Sequence, residues 1–156
     1  MSNSTTNAPK AVWDSLLVKA KAEVRQAQLC LTNVHQQKQE AIMRNEKINR
    51  LLLEYNQRLN DLQQQSHNPS EARNYRQFIV QLQSIAGQAR SAIDGLEIDC
   101  KEARKNLQVA DLERIKVESL AQRANEKYRK ETSYLEAKST ESDNLILYNS
   151  AKRTQI

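Results

Sequence analysis

One interruption, Ser66-His67-Asn68-Pro69-Ser70-Glu71, divides a chain whose helical pattern otherwise runs more than fifty residues to either side. Pro69 cannot continue a preceding helix, because it lacks an N–H and its ring clashes with the turn before it. It fits well as the first residue of a new helix, where no intrahelical donor is needed. Asn68 is then the N-cap and Glu71 the third helical residue, a variant capping box. Tyr75-Arg-Gln-Phe78-Ile79-Val-Gln-Leu82, the densest aromatic and aliphatic stretch, follows at once. A stop, a restart and an apolar opening predict a hairpin of two long helices.

The apolar pattern on either side agrees. In the first segment the d positions are Trp13, Ala20, Ala27, Val34, Ala41, Ile48, Tyr55 and Leu62, all of them apolar. Its a positions include Leu17, Val24, Leu31, Leu52 and Leu59, with Lys38 and Asn45 as internal polar exceptions. A polar a residue costs stability and fixes register, which is the plain reading of both. In the second segment Tyr75, Leu82, Ala89, Leu96, Ala103, Ala110, Val117 and Ala124 occupy d. Ile79, Ala86, Ile93, Cys100 and Leu107 occupy a, and Arg114 breaks the row. The predicted fold is all-α: two long helices forming an antiparallel coiled-coil hairpin over residues 10–148, with its turn near 65–71. Residues 1–9 and 149–156 are expected to be disordered. Size complementarity favours the register in which facing residue numbers sum to about 141, setting Leu52 by Ala89, Tyr55 by Ala86, Lys38 by Ala103 and Arg114 by Ala27. Residues 132–156 then have no facing helix.

Composition narrows the function. Two glycines, two prolines and a single tryptophan among 156 residues suit a narrow seam better than a wide core. The net charge of +5 is spread thin: residues 10–64 hold nine bases against six acids, and residues 71–131 twelve against ten. No basic block exists, so nucleic acid is not an expected partner. Cys30 and Cys100 lack metal-ligand spacing, and His35 and His67 have no Cys or carboxylate set at such spacing. Glycine-rich phosphate loops and nucleophile motifs are missing too. The expectation is therefore a protein with no catalytic residues, no metal and no cofactor. The polar start predicts no secretory signal, and no apolar run is long enough for membrane insertion. A reduced, cytoplasmic setting follows from these.

Apolar residues outside the a/d rows are the informative ones. In an antiparallel pair the g positions of both helices line one edge. Near the hairpin end that edge carries Leu51, Phe78, Ile85 and Ala92; near the free ends it carries Leu16, Leu120 and Tyr134. Polar residues separate the two groups. Such patches suit docking or simply widen the seam, and near the free ends both readings stand; at the hairpin end docking is favoured, because Phe78 adds more area than a thin seam hides.

The polar turn followed by Tyr75-x-x-Phe78-Ile79-x-x-Leu82, and preceded by Glu54-Tyr55-Asn-Gln-Arg-Leu59, resembles the FliJ family of flagellar type III export. The resemblance implies a coiled coil similar to the central stalk of rotary ATPases. Its expected partners are the export ATPase ring, entered by the end bearing both termini, the membrane-embedded export gate, and empty export chaperones. The gate-contacting positions that match the family here are Tyr55, Phe78 and Leu82. Leu51 and Ile85 join them from the edge pattern, at places where more polar or smaller residues also occur in the family. The implied setting is cytoplasmic, peripheral to the inner-membrane export apparatus, with an isolated chain that is a monomer. The stalk of a virulence secretion system and a generic coiled-coil tether are the alternatives.

Overall fold

The structure, a computed structural model, describes residues 8–65 and 68–154. Ser66 and His67 of the expected turn, the first seven residues and the last two lie outside the described residues. Helix α1 spans Ala8–Gln65 and helix α2 spans Pro69–Arg153. Among the described residues only Asn68 and Thr154 are not helical, so the fold is all-α with two long helices.

The start of α2 follows the sequence in its proline, whereas the side-chain to backbone bonds of the expected capping box are not formed among the described residues. Pro69 is the first helical residue, and the Ala72 N–H donates to the Asn68 carbonyl at 3.2 Å. The Asn68 side chain accepts the Ser70 hydroxyl at 2.7 Å, and Glu71 sets a negative charge in the first turn, against the helix dipole.

Each helix contributes to two compact units. One consists of Arg25–Gln108, the connected ends; the other consists of residues up to Val24 together with those from Val109. In the first unit the buried residues are Ala41, Ala72, Ile79, Leu82, Ala86, Cys100 and Ala103. In the second they are Ala20, Val24 and Val117. Every one falls on an a or d position of the two heptads. Half of them are alanine, and no large side chain among the described residues is fully buried. The core is a seam two rows wide.

Within Arg25–Gln108 the register differs from the one favoured by size matching. The Tyr55 ring lies 4.5 Å from that of Phe78 and 5.7 Å from that of Tyr75. The Lys38 ammonium lies 3.7 Å from a Glu97 carboxylate oxygen. Facing residue numbers thus sum to about 134, one heptad from 141. Connector geometry is the reason. The helices stop at Gln65 and restart at Pro69, and positions equidistant from that break sum to the same 134. A sum of 141 would centre the turn inside the first turn of α2. Lys38 accordingly meets Glu97 instead of snorkelling past Ala103.

In the other unit Arg114 is held by its own helix, through Asp111 at 2.9 Å and Glu118 at 2.6 Å. Lys10 sits 5.4 Å from the centre of the Tyr128 ring. Beyond Thr132 every described residue is exposed. The helix nonetheless continues to Arg153, past the expected boundary at 148, as α1 begins at Ala8 and not Lys10. Hydroxyls of Thr132, Thr140 and Thr154 each donate to the carbonyl four residues back, which occupies these polar side chains within the helix.

Because the seam is narrow, each large residue in it matters. Leu82 is 5% exposed. Leu82→Ala is expected to cost about 2 kcal/mol or more of folding free energy, read by urea unfolding of the isolated protein.

Candidate functional site

Tyr55 and Tyr75 both occupy d positions, and in an antiparallel pair this brings their rings together above the connector. Phe78 sits one position before the a residue Ile79, so its ring stands at the edge of the seam. There it packs on the half-buried Tyr55 at an interplanar angle of 55°, within the range of tilted aromatic pairs. Arg58 also lies over Tyr55, its guanidinium 5.2 Å from the ring centre and paired with Glu54 one turn back. The aromatic platform is therefore braced by a cation as well as by its own rings.

Around it the edge is apolar. Phe78 remains 37% exposed, Leu51 39% and Ile85 47%. In the observed register Leu51 falls between Phe78 and Ile85 along the edge, so the three form one patch. Ile85 continues into a shallow groove of about 400 Å³ lined by Ala41, Arg44, Ile48, Gln88, Ala89 and Ala92. Small residues facing one another across the seam make this groove. Sequence reasoning named its rim residues Ile85 and Ala92 but missed the groove, because its depth depends on the register. Arg44 gives it a single positive charge at one wall.

Four of the five residues singled out from the sequence, Tyr55, Phe78, Leu51 and Ile85, are thus brought together with surface to offer. Leu82 is not among them. It lies in the seam beneath the patch, where the d row places it, and supports the platform from inside. Its position in the motif shared with Phe78 reflects helix packing.

In the unit holding the termini, Leu16 is 41% exposed, Leu120 half-buried and Tyr134 68% exposed. The largest run of exposed apolar surface there was not anticipated: Leu145, Ile146, Leu147 and Tyr148. Four consecutive apolar residues within a polar tail were the available signal. They point around the whole circumference of the helix, so no periodicity marked them.

The chemistry on offer is contact. Among the described residues no group of three or more His, Cys, Asp or Glu is placed to hold a metal ion. No described helix is long and apolar enough to cross a membrane. Cys30 is exposed and Cys100 buried, both as free thiols.

Phe78 at the surface and Leu82 beneath it differ in what their loss should do. Phe78→Ala removes a ring that is still over a third exposed, and is expected to cost well under the ~2 kcal/mol of a buried leucine truncation. Equal destabilisation by Phe78→Ala and Leu82→Ala in urea would place Phe78 in the core.

Three comparisons bear on what kind of protein carries this edge. A family model described as "Flagellar FliJ protein" matches residues 13–153. No curated protein and no solved structure matched.

Proposed function

The chain belongs to the flagellar FliJ family, and from that premise we propose that it links the export ATPase ring to the export gate. Members are coiled-coil components associated with flagellar export, structural in role and not enzymes. In this reading the protein acts at the cytoplasmic face of the inner membrane, peripheral to the export apparatus, and escorts empty export chaperones. Its edge at Tyr55, Phe78, Leu51 and Ile85 docks on the gate, with Leu82 holding that surface from beneath. The end bearing the termini enters the ATPase ring, and the isolated chain is a monomer. Mechanically, the protein carries contact from the ATPase ring to the export gate.

One observation supports the docking role above all. Phe78 is an aromatic anchor kept at the surface by a tyrosine underneath, flanked by two exposed aliphatic residues. Interfaces concentrate their binding energy in centrally placed anchors of this kind. The exposed run Leu145–Tyr148, in a stretch of helix where every described residue is exposed, supports order supplied by another protein in the unit holding the termini.

The test separates docking from folding. Phe78→Ala is expected to weaken binding to the cytosolic part of the export gate by about tenfold or more, which is about 1.4 kcal/mol. It should reduce motility while stimulation of the ATPase persists. Val80→Ala, also at an exposed position but off the patch, should leave gate binding and motility unchanged. Gate binding that survives Phe78→Ala would remove the patch from the proposal.

A further inference from the structure

The groove beside Ile85, which lies wholly within Arg25–Gln108, joins an apolar lining to one unpaired cation. Its polar lining residues are Arg44 and Gln88; the others are alanine or isoleucine, and no carboxylate borders it. Arg44 also lacks the partner that comparable arginines hold. Arg58 pairs with Glu54, and Arg114 pairs with Asp111 and Glu118, each within its own helix. The acid one turn before Arg44 is Glu40, which accepts from the Gln36 side-chain amide at 3.2 Å instead. Among the described residues Arg44 pairs with no carboxylate. Along the same edge the next acid is Asp99, one heptad past Ala92 and about 10 Å further on at 1.5 Å per residue.

This arrangement is selective. Water hydrates the exposed Arg44 while the groove stands open. An apolar side chain seated on Ala89 and Ala92 expels part of that water, and a guanidinium then left without an anion loses hydration. A carboxylate arriving with the apolar side chain removes this penalty, because the guanidinium fork holds it by charge-assisted hydrogen bonds. A lysine or arginine in the same place is repelled, so floor and wall together discriminate between partners. With a volume of about 400 Å³, the hollow suits a side chain and not a whole helix.

We propose that the groove takes an apolar side chain of the export gate's cytosolic part that carries an aspartate or glutamate within one helical turn, with that carboxylate on Arg44. Charge selects this occupant, and continuity supports it, since Ile85 belongs both to the groove and to the patch with Leu51 and Phe78. Arg44 lies one heptad from Leu51, on the side away from Phe78. The partner therefore needs apolar contact at Phe78 and an acid at the far end of the same edge. This requirement rests on the docking reading of the Phe78 edge and goes one step past it.

The test measures binding of the full chain to the cytosolic part of the export gate, with helix content and urea unfolding checked for each variant. Arg44→Glu is expected to weaken binding about tenfold or more at low salt, and Arg44→Lys, which keeps the charge, to lose less. Ala92→Leu fills the groove from an exposed position and should also weaken binding about tenfold. Salt at about 0.5 M should shrink the loss from Arg44→Glu, by screening, and leave the loss from Ala92→Leu in place. If Phe78→Ala weakens binding while Arg44→Glu and Ala92→Leu bind like the native chain, the groove assignment falls and the docking edge stands. A loss on Arg44→Glu with none on Ala92→Leu also overturns the assignment, because a cation that steers from a distance needs no groove. If Phe78→Ala too binds like the native chain, the docking edge falls and the groove assignment falls with it.

Discussion

Apolar burial along a seam two residues wide is the interaction on which the rest of this structure depends. A pair of helices has no third layer, so nearly all of its side chains face water on some side. Burying a large apolar residue yields about 1.5–3 kcal/mol, and ordering each residue's backbone costs about 1–2 kcal/mol. With alanine at half of the buried positions, the margin is small. Lost seam contacts are felt strongly, and side chains just off the seam are free for other work.

That division of labour explains the aromatic platform. Tyr55 is committed to the seam by its d position, and Phe78, one step outside the a row, rests on it without being enclosed. Arg58, paired with Glu54, steadies Tyr55 as well. Leu82, although part of the same motif, belongs wholly to the seam. Surface and support are thus interleaved along one stretch of sequence, and only their heptad positions tell them apart.

Much of this was legible in the chain. Pro69 marked the restart of the second helix, and all ten buried apolar residues among the described ones occupy heptad positions facing the seam. The resemblance seen in Tyr55, Tyr75, Phe78, Ile79 and Leu82 agrees with the family match over residues 13–153. Register was not legible from size matching. Pairing Leu52 and Tyr55 with alanines looked best residue by residue, whereas the break between Gln65 and Pro69 sets the pairing for the whole segment. The groove beside Ile85 followed the register and was missed with it. Leu82 was taken for surface because a motif does not say which of its residues face outward. The helix through Arg153 was underestimated because its support comes from local backbone and hydroxyl bonds, which leave no apolar period.

Amide hydrogen exchange on the isolated protein tests the central claim, that order here comes from seam contact between facing helices. Exchange reports local opening directly, residue by residue. The account predicts slow exchange for the amides of Ile79–Ala103 and of their α1 counterparts. It predicts fast exchange throughout residues 133–153, which are helical but bury nothing. Protection of residues 133–153 as strong as that of Ile79–Ala103 would contradict it.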